Sequence, residues 1–287
     1  MDIGCFALVD PFTLLDHQLQ RIKDLGFAYA DVTDNHNGGM LGTEFGFTAS
    51  VSLDANPHDV RRLFARHGLT PTTFCAHANL LDPPAPWRYG TTEIIKAVRA
   101  AAAMDVRHVI TTEGEPKTAH GHGLTLSERI FAIRYALAEP LRVAADFGVT
   151  ILLEPHGPVT DSIDGMEALL EACGTPENLA INLDTGNTWL GGTDPVAFVR
   201  HFDHTIQHVH WKDLPEDMEA QRGTVFGCGM AVIPLGTGAV DIKGVYAALC
   251  AVGFDGHTTL EVAGDAAAIA SRDYLQALAL EGASAHG

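Results

Sequence analysis

Residues 205–217 read TIQHVHWKDLPED. As far as Trp211 the run is β-branched, aromatic and apolar, with turn chemistry just beyond it, which predicts a strand. A strand sends alternate side chains to opposite faces. Val209 and Trp211 therefore share one face, and His208, His210 and Lys212 share the other. One face needs an apolar cover while the other presents imidazoles and an ammonium. A barrel strand meets both demands, because helices cover its outer face and its inner face lines the lumen.

The pattern repeats outward from this strand. In TILLEPHG (150–157), Thr150, Leu152, Glu154 and His156 oppose Ile151 and Leu153. In LAINLDTGN (179–187), Ala180, Asn182 and Asp184 oppose Leu179, Ile181 and Leu183. In HTTLEVAG (257–264), His257, Thr259 and Glu261 oppose Thr258, Leu260 and Val262. Eight apolar runs are found in all, at 3–9, 29–33, 72–76, 107–111, 150–153, 179–183, 205–211 and 258–262. Helix-like stretches lie between and after them, at 12–25, 58–67, 91–104, 127–147, 166–173, 195–201, 240–252 and 266–280. Gly26, Gly68, Gly148, Gly174 and Gly253 follow five of these stretches, where a helix C-terminus favours glycine. Asp194-Pro195 supplies an N-cap and a proline at the first helical position. Strand alternating with helix implies a parallel sheet, and eight units imply an α/β fold, a (β/α)8 TIM barrel occupying 1–287 as a single domain. Two long βα loops, about 34–56 (with Gly38, Gly39, Gly42 and Gly46) and 214–238, follow strand carboxyl ends. They read either as lids over that face or as variable surface insertions.

The charged member of each inner row comes late in its strand. Glu154, Asp184, His210 and Glu261 thus reach one rim from four successive strands. Three carboxylates converging in a partly dry place repel one another and demand compensation. A divalent cation supplies it. Three oxygens and one imidazole suit a fairly hard ion, so one Mn2+ or Mg2+ is expected first, with Co2+ or Zn2+ also compatible.

The totals agree with a metabolic enzyme of this build. The chain has 287 residues, 46% of them hydrophobic, enough for a large core. Asp and Glu number 36 against 18 Lys and Arg, a formal charge of −18, and no basic run exists; nucleic acid and anionic membrane surfaces are excluded as partners. No apolar run reaches the ~18 residues of a membrane helix. The start, MDIGCFALVD, lacks a basic leader, so a cytoplasmic location is expected. Cys5, Cys75, Cys173, Cys228 and Cys250 are scattered without a C-x-x-C pair and read as reduced core residues.

The segments ILLEPHG, INLDTGN, HVHWKD and TLEVAGD resemble those of the xylose-isomerase-like TIM-barrel superfamily of sugar isomerases and epimerases. So does VIPLGTGAVDIKGVYAALCAVGFDGHTTLE (232–261), with its P-x-G-x-G turn. The resemblance is clear over about 149–265. It implies that Glu154, Asp184, His210 and Glu261 are the metal ligands and that Glu154 and Glu261 are also the acid/base pair. Many epimerases of the family hold a substrate oxygen with a histidine three residues after the ligand aspartate. Here that position is Asn187, which can donate a hydrogen bond but cannot shuttle a proton near neutral pH.

The implied reaction is proton abstraction next to the carbonyl of a keto-sugar or keto-polyol, through an enediolate, ending in isomerisation or epimerisation. The same site also serves a lyase that dehydrates a keto-inositol or eliminates from a 3-keto-glycoside. DNA-repair endonucleases share the fold but call for a richer zinc–histidine set and basic loops. A non-enzymatic binder on a decayed barrel is disfavoured by the complete ligand set. His156, Asn187, Lys212, His77 and Glu113 are expected to contact a small-molecule carbohydrate, with Lys212 alternatively neutralising carboxylates. His208 reads as a packed core histidine, and His120 and His122 as a solvated loop pair. His36 opens the first long loop, and Asn79 closes the third strand near the rim. Phe47 and Trp87 read as loop or core anchors before they read as sugar platforms. No phosphate-binding loop accompanies Gly236–Gly238, which points to an unphosphorylated substrate. A homo-oligomer is the family's habit.

Overall fold

Apolar and polar rows sort the chain into the alternating order its sequence predicts. A computed structural model describes residues 1–33, 55–81, 89–229 and 231–284. The elements are β1 (Asp2–Phe6), α1 (Leu15–Asp24), β2 (Tyr29–Thr33), α2 (Pro57–His67), β3 (Thr70–Cys75), α3 (Tyr89–Ala103), β4 (His108–Thr112), α4 (Ala119–Gly123), α5 (Leu126–Phe147), β5 (Thr150–Glu154), α6 (Ile163–Ala172), β6 (Leu179–Asp184), α7 (Thr185–Leu190), α8 (Pro195–Phe202), β7 (Ile206–Trp211), α9 (Ile242–Ala251), β8 (His257–Leu260) and α10 (Asp265–Ser284). The strands close in sequence order, β8 pairing with β1, and every pairing is parallel. This is the (β/α)8 barrel.

Local chemistry sets the boundaries. Asn56 caps α2 through His58 N–H, and Gly68 ends that helix at φ 64°. Thr125 and Glu128 form a reciprocal capping box at the start of α5. Asp194 caps α8 with proline in its first turn, as the sequence indicates. The first strand is shorter than its apolar run: Ala7 N–H still reaches Asp31 O, but Val9 N–H then turns back to Phe6 O. Two short helices, α4 and α7, stand where the sequence suggested only loop.

Burial confirms the two faces. Ile151, Leu153, Ile181, Leu183, Val209, Trp211 and Leu260 join the large core between barrel and helices. Phe6, Cys75, Ile110, Leu152 and Ala180 form a separate plug inside the lumen. Beside that plug the inner rows are polar, and all of Asp31, Asn182, Thr259, His208 and His210 are buried. The cysteines are all free, as expected, but Cys173 is only half-buried and Cys250 is exposed, so core placement holds for three of the five. Among the described residues no helix is long and apolar enough to cross a membrane.

Candidate metal centre

Parallel register brings the late charged residues of β5 to β8 together. Asp184 pairs with His210 across β6 and β7, and Glu261, just past β8, donates its N–H to Trp211 O. Glu154, Asp184, His210 and Glu261 each offer one ligand atom, and those atoms lie within 4.8 Å of one another. His210 Nδ1 is 3.1 Å from Glu154 Oε2 and 3.1 Å from Glu261 Oε2.

The arrangement can be tested against a cation without one being present. His210 Nε2 lies 3.0 Å from Asp31 Oδ2, and Asp31 also accepts from Thr72 Oγ1. With Nε2–H donating to Asp31, Nδ1 turns a lone pair toward two carboxylates. That nitrogen is buried and forms no hydrogen bond. Buried polar atoms without hydrogen bonds are rare and call for an explanation. Burial works against charge on His210, yet Glu154 and the bond to Asp31 outweigh it and raise the imidazole well above its ordinary value. The carboxylates call for a positive centre at Nδ1, a proton or a metal ion, and the donor set fits a divalent cation.

Neighbours hold each carboxylate in place. Asn182 Nδ2 donates to Glu154 Oε2 at 2.9 Å, and Asn187 Nδ2 reaches Glu154 Oε1 at 3.3 Å. Asp184 Oδ1 caps α7 by accepting from Asn187 N–H at 2.8 Å, which leaves Oδ2 facing the centre. Lys212 Nζ stands 2.8 Å from that Oδ2 and 3.0 Å from Glu261 Oε1. Burial resists the Glu154 charge, but His210 and Lys212 overcome it and hold the carboxyl well below its ordinary range. Burial lifts Asp184 to about 6, opposed by Lys212 and reinforced by Glu154 and Glu261. Glu154 is closed off, whereas the Glu261 side chain keeps 21% of its surface open.

The remaining candidates divide. Lys212 is buried and paired with two carboxylates of the donor set, Asp184 and Glu261. His77 is half-buried with Nδ1 3.5 Å from Thr33 Oγ1, and burial pushes it down to about 4. His156 is half-buried, 3.0 Å from Glu115; burial opposes its charge, but Glu115 prevails and lifts it to about 9. Glu113 is fully buried and accepts from Val159 N–H at 3.0 Å and from Thr160 N–H. Asn187 is likewise fully buried, its carboxamide engaged by Glu154 and by Cys228 N–H at 3.1 Å. Asn79 donates to Glu115 O at 2.8 Å. His208 is the packed histidine expected, and His120 and His122 are exposed on α4. His36, Phe47, Trp87 and most of the 34–56 loop lie outside the described residues.

Sequence reasoning missed Asp31 and Glu115. Asp31 left a trace: in YADVT it falls on the face opposite Ala30 and Val32, a lone carboxylate on an inner row. Glu115 follows β4 in a loop and has no periodicity to betray it.

The family model described as a xylose isomerase-like TIM barrel matches residues 19–278. The inosose dehydratase of Lacticaseibacillus casei is 29% identical over 152 residues, 47% of this chain and 49% of that protein. The chain therefore spans about half the length of the curated relatives it matches. Among solved structures, a D-tagatose 3-epimerase-like protein superposes with a TM-score of 0.78 at 20% identity, covering 100% of both chains. The IolI protein, solved with a bound zinc atom, superposes with a TM-score of 0.70 at 16% identity, covering 96% of this chain and 94% of that one. At those identities the superpositions speak for the fold.

Proposed function

Because the chain belongs to the xylose isomerase-like TIM-barrel family, we propose that it is a divalent-metal-dependent isomerase or epimerase of a keto-sugar or keto-polyol. The observation that carries this reading is the buried His210 Nδ1, without a hydrogen bond, 3.1 Å from two carboxylates of a four-residue donor set. Glu154, Asp184, His210 and Glu261 would hold the ion. Mn2+ suits the oxygen-rich set best, and the zinc of the IolI neighbour makes Zn2+ the alternative. A divalent cation at this place supplies Lewis acidity: it draws electron density from a carbonyl and offsets the charge that develops on an enediolate.

The protein's own groups do the proton work. Glu154, fixed by Asn182 and Asn187, takes the proton from the carbon next to the carbonyl. Glu261, more open and steadied by Lys212, returns a proton to the other face or to the neighbouring carbon. Lys212 keeps both Asp184 and Glu261 ionised for these roles. His156 and His77 are left at the rim to receive substrate hydroxyls.

A second reading is dehydration, favoured by the match to the L. casei inosose dehydratase. The first step is the same. The bond to a hydroxyl β to the carbonyl then breaks, and the leaving oxygen takes a proton from His156, held charged by Glu115, giving water and an enone.

Incubating the Mn2+-loaded protein in D2O with ketohexoses, keto-inositols and 3-keto-glucosides tests both. Deuterium is expected at the carbon next to the carbonyl, and the product, epimer or enone, separates the two readings. Glu154→Gln and Glu261→Gln are each expected to abolish exchange while leaving the circular dichroism spectrum intact. Exchange retained in both variants would falsify the acid/base assignment.

A further inference from the structure

The chemistry of a carboxamide explains why asparagine stands at 187. It offers a donor and an acceptor on one small rigid plane. Nδ2 donates to Glu154 Oε1 at 3.3 Å, Oδ1 accepts from Cys228 N–H at 3.1 Å, and the backbone N–H donates to Asp184 Oδ1 at 2.8 Å. One buried residue thus touches two ligand carboxylates and the long loop after β7. We propose that Asn187 is a positioning residue that latches the 214–238 loop over the metal carboxylates, so that the seat of the loop and the orientation of Glu154 are set together.

The loop's other anchors lie to either side of this contact. Arg222 Nε donates to Trp189 O at 2.9 Å and Gly223 N–H to Leu190 O at 2.8 Å, tying one part to the end of α7. Farther on, the Asp213 carboxylate gathers the amides of Leu214, Gly236, Gly238 and Val240 at 2.9 to 3.1 Å. Cys228 lies between these anchors, and its amide is the loop group that meets Asn187. The fit there is close. A Cβ on Gly227, whose φ is 75°, would run into Glu115 and His156. The Cys228 thiol is buried near Lys212, Asp184 and Glu261, and burial pushes it up to about 12. Loss of the latch therefore uncovers a thiol that is otherwise closed off.

Two substitutions separate the two halves of the side chain. Asn187→Asp keeps an acceptor for Cys228 N–H but sets a second carboxylate against Glu154. Asn187→Ala removes both contacts. The effect on turnover rests on the proposed function, whereas the latch itself does not.

The test is peptide-resolved iodoacetamide labelling of the full chain, followed by mass spectrometry, with circular dichroism as the check on folding. Cys228 is expected to react slowly in the wild type and in Asn187→Asp, and about tenfold faster in Asn187→Ala, the worth of one buried hydrogen bond. Cys5 and Cys75, buried in the barrel, should stay unreactive in all three. Unchanged protection of Cys228 in a folded Asn187→Ala overturns the latch, and so does equal opening in Asn187→Asp. Should Asn187→Ala not fold, hydrogen exchange at the Cys228 amide decides: slow exchange in wild type and Asn187→Asp supports the latch, and fast exchange in the wild type overturns it. Turnover of an active keto-sugar should fall in Asn187→Asp with Cys228 still protected. A protein with no keto-sugar activity at all, but with this labelling pattern, refutes the enzymatic reading and leaves the latch standing.

Discussion

His208 and His210 stand one pleat apart on the same inner face of β7, and both are buried. Their surroundings drive them in opposite directions. His208 hydrogen-bonds neutral groups, with Asn182 Oδ1 2.8 Å from Nδ1 and Thr259 Oγ1 3.3 Å from Nε2, while Asp31 Oδ2 stands farther off at 3.7 Å. Burial pushes it down to about 3 against the pull of the more distant Asp31. His210, one layer nearer the rim, lies between Asp31, Glu154 and Glu261 and is driven upward. Strand alternation decides which face a histidine takes. The charges contributed by neighbouring strands decide whether it is held neutral or drawn toward a positive charge.

The largest expected effect breaks this pair directly. His210→Gln should lower Mn2+ affinity, measured by calorimetry, by more than the roughly 10–100-fold that loss of an outer partner costs. Asp31→Asn, which leaves the imidazole without its orienting carboxylate, should fall within that 10–100-fold range. His208→Gln should bind the ion almost as the wild type does. Equal losses in the His208 and His210 variants would merge the two layers into one and remove the distinction drawn here.

A second pair sharpens the contrast. Asp184 and Asp213 are both buried carboxylates at the rim, but Asp184 Oδ2 is met by the Lys212 ammonium at 2.8 Å, whereas Asp213 accepts from four loop amides. The first belongs to the proposed donor set and is balanced by an ammonium; the second is satisfied by the fold. Asp213→Ala should cost about 3 kcal/mol, because it strands several buried donors, and lower the melting temperature by roughly 6–12 °C. Asp184→Asn should change metal affinity far more than melting temperature. The reverse ranking would mean that Asp184 serves the fold and not a metal site.

The barrel and the convergence of Glu154, Asp184, His210 and Glu261 were legible because both are written in short-range pattern. Period-two alternation assigns the faces of β5 to β8, and the charged residue comes late in each row. Partners far apart in sequence were not legible. Asp31 reaches His210 across 179 positions, Glu113 meets Val159 across 46, and Asn187 meets Cys228 across 41. No local periodicity carries such contacts. Asn187 and Glu113 follow strand ends, as rim residues do, but the loop amides they accept from are not legible in that pattern. The helix α7 was hidden for a related reason: Asp184 reads equally well as the end of a strand and as an N-cap, and here it is both.

Glu113 gives the smallest effect and the clearest case of a charge state set by burial away from the metal centre. A Cβ on Gly157 would stand 2.5 Å from Glu113 Cγ, so the loop after β5 rests directly on this side chain. Burial raises the carboxyl from 4.5 to about 7, against the amide bonds from Thr160 and Val159 that favour its charge. Between those two values the folded chain holds a proton that the unfolded chain has released. Stability contributed by this group is therefore present below pH 4.5 and is lost as the pH rises toward 7. At no more than about 1.4 kcal/mol per unit, the loss between pH 5.5 and 7 is at most about 2 kcal/mol. Glu113→Gln cannot titrate, and its NH2 group faces amide donors, so it should be the less stable protein at pH 5.5. Urea titrations of both proteins should show that gap narrowing as the pH rises to 7. A gap that stays constant would place the ionisation outside this window, as it would if the amides, not burial, controlled the charge of Glu113.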